Sequence, residues 1–325
     1  MSILVTGGAG YIGSHMVLRL LALGESVTVL DNLSTGRRAL VPHGARFVEG
    51  DIGDRSLLDR LLNTGDIEAV IHFAGSIVVP DSVTEPLAYY HNNTVKSRTL
   101  IEACIGHGVP RFIFSSTAAV YGEPQRIPVT EDAPLQPINP YGRSKLMTEW
   151  MLEDAGRAHG LSFAILRYFN VAGADPEGRS GQASPKATHL IKVACEVATG
   201  KRAKLDIFGT DYATPDGTCV RDYIHVTDLA EAHVEALRNL RAGGTNDVFN
   251  CGYGRGFSVR DVVHALGRVL GKEIATVPGP RRAGDPAALV AGVSKIRDKL
   301  GWRPKHEDLD FIVRTALDWE RKLGS

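Results

Sequence analysis

An α/β fold, a doubly wound parallel sheet with a smaller α/β lobe toward the C-terminus, is predicted here by three observations. The first is alternation. Short apolar, β-branched runs ("SVTVLD", "ARFVEGDI", "EAVIHFAG", "RFIFSST", "SFAILRYF") are separated by segments of helical pattern such as "DRSLLDRLL", "PLAYYHNNTVKSRTLIEACIGHG" and "YGRSKLMTEWMLEDAGRAHG". Strands that alternate with helices form a parallel sheet covered on both faces. The second is the opening stretch, "SILVTGG" followed by "YIGSHMVLRLLALG", where Ile12, Met16, Leu20 and Leu23 recur at helical spacing before Gly24; it reads as strand, tight turn, helix. The third is a change after Phe169, where "NVAGADPEGRSGQASP" is rich in glycine and proline and the alternation is lost. The main boundary therefore falls there: residues 1–169 form the doubly wound lobe, to which the chain returns around 220–245, and residues 170–325 form most of the second. A chain of 325 residues is long enough for two lobes, since a single core stops growing near ~250 to 300. In the second lobe "RDYIHV" reads as a strand and "TDLAEAHVEAL" as its helix with Thr227 as cap, while "SVRDVVHALGRVLG" is a separate helix capped by Ser258.

Composition narrows the function classes. Hydrophobic residues make up 43% and charged residues 23% of the chain, ordinary values for a globular enzyme. Lysine plus arginine equals aspartate plus glutamate at 37 each, so no positive field exists to hold nucleic acid or an anionic membrane. No apolar run approaches the ~20 residues of a bilayer span. The first strand begins almost at Met1, which leaves no room for a signal peptide. Cys104, Cys195, Cys219 and Cys251 form no CxxC pair, which argues against a zinc site and for reduced thiols in the cytoplasm.

"TGGAGYIG" sets Gly7, Gly10 and Gly13 three apart between the first strand and its helix. Backbone N–H groups of such a turn reach a pyrophosphate only where side chains are missing, and the helix N-terminus adds favourable partial charge. Asp31 ends the second strand 18 residues beyond Gly13, near the ~20 at which a carboxylate binds the adenosine ribose of a dinucleotide. Its charge repels a 2′-phosphate, so NAD is preferred to NADP, with Arg37 and Arg38 pulling the other way. "GDI" and "HFAG" end the third and fourth strands. Ligands of open α/β sheets lie outside the carboxyl ends of strands, which places Asp51, Ile52, Phe73 and Ala74 at the cofactor. The first lobe is thus Rossmann-type.

"YGRSK" sets Tyr141 and Lys145 one turn apart on one helix face. Tyrosine titrates near ~10, so acting at neutral pH takes ~4 kcal/mol of differential stabilisation. Lys145 and a positively charged nicotinamide are the available sources. Tyr141 is then the candidate general base on a substrate alcohol. "SSTAAVYG", after the fifth strand, offers the hydroxyls of Ser115, Ser116 and Thr117, then two alanines, and no acid or base beside them.

With these motifs assembled, the chain resembles the extended short-chain dehydrogenase/reductases, and among them the UDP-sugar 4-epimerases. The likeness spans essentially the whole length, through "TGGAGYIGSH", "LDNLS", "EGDI", "VIHFAG", "FIFSSTAAVYG", "PYGRSKLMTE", "LRYFNVAGA", "IFGTDYATPDGTCVRDYIHVTDLA" and "RRAGDP". It implies reversible inversion at carbon 4 of a UDP-linked sugar, UDP-galactose and UDP-glucose being the favoured pair, through a 4-keto sugar and with NAD regenerated in each turnover. Under the resemblance Tyr141 takes the proton of the C4 hydroxyl, Thr117 hydrogen-bonds that hydroxyl, and Lys145 holds the nicotinamide ribose and depresses the tyrosine pKa. NAD would also be touched by Tyr11, Ile12, Asn32, Thr35, Asn92, Ser115 and Phe169. The nucleotide sugar would meet Asn170, Leu190, Phe208 near the uracil, and Arg221, Arg282 and Asp285. Two guanidinium forks converging on a diphosphate match its oxygens. The resemblance also implies a homodimer, through helices near residues 86–107 and 141–159 packed as a four-helix bundle.

Three positions depart from that pattern. Ile77 stands where many such enzymes carry a lysine that reaches the cofactor phosphates. His189 precedes Leu190 where an asparagine is usual. Leu289 lies between the tyrosine of enzymes confined to glucose and galactose and the small residue of those that accept N-acetylated sugars, so UDP-N-acetylhexosamines and UDP-pentoses remain alternative substrates. A nucleotide-sugar 4,6-dehydratase or decarboxylase is the rival chemistry. It needs acidic residues after the strand-five threonine, and the methyl groups of Ala118 and Ala119 cannot shuttle a proton. A non-catalytic dinucleotide-binding protein would be expected to lack Tyr141, which is present.

Overall fold

A computed structural model describes residues 1–184, 188–282 and 284–324. In chain order the first part runs β1 (Ser2–Thr6), α1 (Tyr11–Ala22), β2 (Ser26–Asp31), β3 (Arg46–Glu49), α2 (Arg55–Leu62), β4 (Ile67–His72), α3 (Val79–Thr84), α4 (Pro86–Tyr89), α5 (Lys96–Gly106), β5 (Arg111–Thr117), α6 (Pro140–His159) and β6 (Ser162–Tyr168). There follow β7 (Asn170–Ala172), α7 (Leu190–Ala198), β8 (Leu205–Phe208), β9 (Val220–Arg221), β10 (Tyr223–His225), α8 (Val226–Arg241), β11 (Asp247–Cys251), β12 (Phe257–Ser258), α9 (Val259–Leu270), β13 (Thr276–Gly279), β14 (Ala288–Leu289), α10 (Ser294–Leu300) and α11 (Leu309–Lys322).

Side chains that alternate across a strand let one sheet bury both faces. In β1, Ile3 and Val5 pack with Met16, Val17 and Leu20 of α1 and Leu237 of α8, whereas Leu4 packs with Leu58, Leu100 and Leu152 of α2, α5 and α6. The central sheet has 7 strands, all parallel, in the order β3-β2-β1-β4-β5-β6-β11. The order reverses between β1 and β4. Loops leaving those two strands diverge, and the crevice between them is where an open α/β sheet receives ligands. After β10 the chain comes back: α8 packs on α1, and β11 adds beside β6. The cluster around β1, α1 and α8 runs on into α9, α10 and α11 through Leu266, Ile296, Trp302 and Val313.

Three local readings are corrected. The single helix expected over residues 86–108 is α4 and α5 joined by a π turn, Tyr90–Val95. The extra residue in that turn brings Asn92 and Asn93 onto the loop after β4, and π turns of this sort recur at functional sites. "RDYIHV" is two short strands: β9 joins β12 and β14, and β10 joins β7. Asp222, between them, is buried, and its carboxylate accepts the N–H groups of Tyr253 at 2.8 Å, Gly254 at 2.9 Å and Ala291 at 3.2 Å. Burial pushes it up to about 6 even against those bonds. The cap of α8 is the His225 ring, which accepts the Thr227 N–H at 3.2 Å; the helix begins at Val226, so Thr227 already lies inside its first turn.

Ser258 does cap α9. Its hydroxyl accepts the Asp261 N–H at 3.0 Å, the Asp261 carboxylate accepts the Ser258 N–H at 2.8 Å, and the hydroxyl proton goes to Asp216 at 2.6 Å. Ser258→Ala should cost about 1 to 2 kcal/mol, read as a lower urea midpoint at unchanged m-value. All four cysteines are buried and unpaired. Among the described residues no helix is long and apolar enough to cross a membrane.

Candidate active site

The chain leaves β1 at Gly7, whose φ is +70°. A Cβ there would stand 2.6 Å from the Ala74 nitrogen, and one at Gly13 would stand 2.2 Å from the Gly7 carbonyl oxygen, so neither position has room for a side chain. Gly10 opens α1 without a side-chain cap. Asp31 braces the turn: Oδ2 accepts the Ala9 N–H at 2.9 Å and Oδ1 the Leu33 N–H at 2.8 Å. Each oxygen keeps capacity for a further donor.

Around this turn the other candidates take distinct places. Asp51 accepts from Lys96 at 2.6 Å, the Gly53 N–H at 2.7 Å and the Asn32 amide at 3.0 Å. Burial opposes its ionisation, but those bonds outweigh it and hold the carboxyl below its ordinary value. Ile52 is buried under α2 and α5, Ile12 packs on the opposite core, and Thr35 is exposed. The Phe73 N–H donates to the Thr6 carbonyl at 3.0 Å. Asn92 donates to the Ser76 hydroxyl at 2.9 Å, while its neighbour Asn93 accepts the Ser76 N–H at 2.7 Å and donates to the Ser76 carbonyl at 2.9 Å. The π turn thereby fixes the loop after β4. Two candidates are committed to backbone: the Tyr11 hydroxyl donates to the Gly173 carbonyl at 2.5 Å, and the Phe169 N–H to the Cys251 carbonyl at 3.1 Å. Arg38 lies over the Phe47 ring at 4.4 Å.

The helix of the Tyr/Lys pair is placed by its first turn. Pro140 starts α6, and the Asn139 side chain caps it by accepting the Gly142 N–H at 2.8 Å. A Cβ on Gly142 would stand 2.6 Å from the Ala119 carbonyl, so α6 lies directly against the turn that follows β5. The Lys145 ammonium donates to the Ser115 carbonyl at 2.9 Å and stands 4.9 Å from the centre of the Phe114 ring. Burial pulls it down to about 8, with the Glu149 charge opposing. Thr117 accepts the Ala119 N–H at 3.1 Å, which leaves its own proton to donate. Burial raises the Tyr141 phenol above its ordinary value, and a hydrogen bond with Thr117 offsets part of the rise. The Lys145 ammonium is turned to the Ser115 carbonyl, and the net direction for the phenol is upward.

The second lobe gathers its candidates in two adjoining groups. Arg282, three residues beyond β13, lies over the Phe208 ring of β8 at 4.3 Å, and Arg221 of β9 faces Asp285 at 3.7 Å. Leu289 of β14 pairs in register with Arg221 and is buried. Tyr223 of β10 pairs with Asn170 of β7, which brings Asn170 beside the Arg221 strand. Asn170, His189 and Leu190 line a small cleft of about 20 Å³ together with Gln182, Tyr223 and Trp319. His189 Nδ1 lies 2.8 Å from the Gln182 amide nitrogen, and burial keeps the ring below its ordinary pKa. Ile77 is exposed at the rim of the first lobe.

Residues 3–252 match the NAD dependent epimerase/dehydratase family. A UDP-glucose 4-epimerase of Azospirillum brasilense is 61% identical over 321 residues, 99% of this chain and 92% of its own length. The chain belongs to the NAD dependent epimerase/dehydratase family. Among solved structures, UDP-glucose 4-epimerase from Brucella ovis in complex with NAD is 46% identical with a TM-score of 0.95, covering 98% of this chain and 97% of that one. The UDP-Glc/GlcNAc 4-epimerase of Campylobacter jejuni is 50% identical with a TM-score of 0.86, covering 99% of both chains.

In this epimerase-family chain, folding also brings to the site residues that sequence reasoning missed. Asn93 is one. Ser116, Glu149 and Arg167 are others: the Ser116 hydroxyl donates to the Glu149 carboxylate, which pairs with the Arg167 guanidinium at 2.7 Å. An acid does therefore stand beside the hydroxyls of "SSTAAVYG", delivered from α6 rather than from the next residues along the chain. The available signal was spacing, since Glu149 continues the row of Tyr141 and Lys145 at four-residue steps.

Proposed function

We propose that the protein is an NAD-dependent UDP-sugar 4-epimerase acting on UDP-galactose and UDP-glucose, with Tyr141, Lys145 and Thr117 carrying the chemistry. The observation that supports this most is a continuous floor from the glycine turn to the tyrosine. A Cβ on Gly7 would meet Ala74 at 2.6 Å, one on Gly75 would meet the Lys145 ammonium at 3.5 Å, and that ammonium sits on the carbonyl of Ser115, two residues before Thr117. The turn fits a dinucleotide: Gly7 and Gly13 admit no side chain, the start of α1 is uncapped, and Asp31 stands ready for ribose hydroxyls. NAD, when bound there, supplies the hydride acceptor for carbon 4 and returns the hydride, so no net oxidation results.

The chain's own groups handle the proton. Tyr141 removes it from the C4 hydroxyl and later gives it back, and Thr117, whose hydroxyl lies beside the phenol, orients the reacting oxygen. Burial holds the phenol above its ordinary value, so deprotonation depends on added positive charge, which Lys145 would supply together with the bound cofactor whose nicotinamide ribose it would hold. Elimination is disfavoured: the side chains of Ala118 and Ala119 can neither give nor take a proton, and the Glu149 carboxylate is engaged by Ser116 and Arg167. Lys145 is ammonium at pH 7 and neutral once pH rises through about 8. Turnover and NAD retention should therefore fall together on the alkaline side, measured as kcat and as free NAD across a pH series.

Residues 1–169 hold the cofactor in this reading and residues 170–325 most of the nucleotide sugar. Phe208 with Arg282 on its face suits the uracil, Arg221 the diphosphate, and Asn170 and Leu190 further contacts to the nucleotide sugar. Leu289, buried behind Arg221, sets the breadth of sugars admitted. A homodimer is supported by apolar side chains left exposed along α3 to α6, among them Val83 at 61%, Leu87 at 80% and Trp150 at 51%. Unpaired, buried cysteines support a reducing, cytoplasmic compartment.

The test is to incubate the purified protein with UDP-galactose, UDP-N-acetylgalactosamine and UDP-arabinose separately and identify the products. The 4-epimer of UDP-galactose is expected. No 4-epimer from any of the three, with or without added NAD, would overturn the proposal, and a 4-keto-6-deoxy product would replace it with dehydration.

A further inference from the structure

The row of Tyr141 and Lys145 runs one turn further along α6 to Glu149, whose side chain is fully buried. Its partners come from two strands. Ser116 of β5 donates its hydroxyl to Oε1, and Arg167 of β6 donates Nη2 at 2.7 Å and Nε at 3.2 Å. Arg167 reaches on to the Tyr121 hydroxyl at 2.9 Å and the Glu131 carbonyl at 3.3 Å, and Tyr121 donates to Asn250 at 2.7 Å. Ser116 stands between Ser115, whose carbonyl takes the Lys145 ammonium, and Thr117, which meets Tyr141. Glu149 therefore ties the helix that carries the tyrosine and lysine to the strand that carries their partners. Desolvation offsets much of the attraction in a buried ion pair, so fold stability alone does not account for it.

We propose that Glu149 is a positioning residue for proton transfer, holding α6 in register on β5 and keeping Lys145 in its ammonium form. This rests on the epimerase reading of the site. The groups that bear on Lys145 are His72 of β4, Phe114 and Ser115 of β5, and Glu149 of α6, with Tyr141 one helical turn away. His72 is neutral: its ring nitrogens bond Thr6 at 2.7 Å and Ser97 at 2.9 Å, and burial pulls it down to about 3. Glu149 is left as the anion that favours the charged lysine.

Glu149→Gln keeps the shape and removes the charge. We expect kcat to fall about 10- to 100-fold from misplacement of the pair, with KM for UDP-galactose little changed. The alkaline limb of kcat, and the pH at which the holoenzyme releases NAD, should both move down by at least about half a unit. Ser116→Ala leaves the charge in place, so its alkaline limb should stay at the wild-type position. If Glu149→Gln is insoluble because Arg167 is left unpaired, the double variant Glu149→Gln/Arg167→Met is read for kcat against KM alone, since it removes the positive charge together with the negative one. A kcat of that double variant within about twofold of wild type overturns the proposal. An unmoved limb together with unmoved NAD release in soluble Glu149→Gln also overturns it. So does a limb that moves equally in Ser116→Ala, and so does failure of both Glu149 variants to fold, since the pair would then serve the fold alone. Wild-type protein that yields no 4-epimer would overturn the reading of the site instead.

Discussion

Tyr141→Phe lowers kcat by roughly 10²- to 10⁴-fold, the range for loss of a positioned acid–base group, while leaving bound NAD and thermal stability near wild type. The substitution removes one oxygen. Thr117 is the group that offsets the effect of burial on that oxygen. Thr117 keeps its place without it, because its side chain still accepts the Ala119 N–H at 3.1 Å and caps the turn after β5. Lys145 is unaffected as well, held on the Ser115 carbonyl at 2.9 Å. Steady-state kinetics with UDP-galactose, together with the NAD content of the purified variant and a melting curve, measure all three quantities. Retention of more than about a tenth of wild-type kcat would remove Tyr141 from the acid–base role.

Gly13→Ala has the next largest effect: it strips NAD from the protein and takes activity with it. A methyl group there meets the Gly7 carbonyl oxygen at 2.2 Å and the Gly8 Cα at 2.8 Å. Both are backbone atoms, which cannot swing aside as a side chain would. Either α1 slides away from the turn or the turn opens, at a cost of about 1 to 3 kcal/mol. Carried wholly by the cofactor site, that is roughly 5- to 150-fold in affinity. Gly24→Ala is the fitting contrast, since a methyl group there meets nothing within 4 Å and the expense is only that of the left-handed backbone at φ +79°. Calorimetric titration of NAD into both variants, beside their melting temperatures, separates loss of the site from loss of the fold. Wild-type affinity in Gly13→Ala would mean that the turn does not hold the pyrophosphate.

These two residues were legible before folding because their signals are local. Gly13 is marked by its spacing from Gly7 and Gly10, and Tyr141 by Lys145 one turn away on the same helix. Glu149 carried no such mark. In "LMTEWML" a glutamate looks like any solvated helix residue, since the strands that bury it lie 33 residues upstream at Ser116 and 18 downstream at Arg167. Asp222 misled for a related reason. "RDYIHV" has an unbroken β pattern, yet the carboxylate in its middle draws in the N–H groups of Tyr253, Gly254 and Ala291 and divides it into two strands.

Spacing along the chain thus specified the alternating strands and helices, the side-chain-free turn after β1 and the shared face of Tyr141 and Lys145. Each of these expresses a short-range rule, a period of two or 3.6 residues or the exclusion of a Cβ, that a few neighbouring residues satisfy among themselves. Tertiary structure alone decided which carboxylate would stand behind the hydroxyls of β5, where the Lys145 ammonium would point, and how Phe208, Arg282, Arg221 and Asp285 would meet. A buried charge or a donor finds its partner across layers, and the layers exist only once the sheet has been covered on both faces.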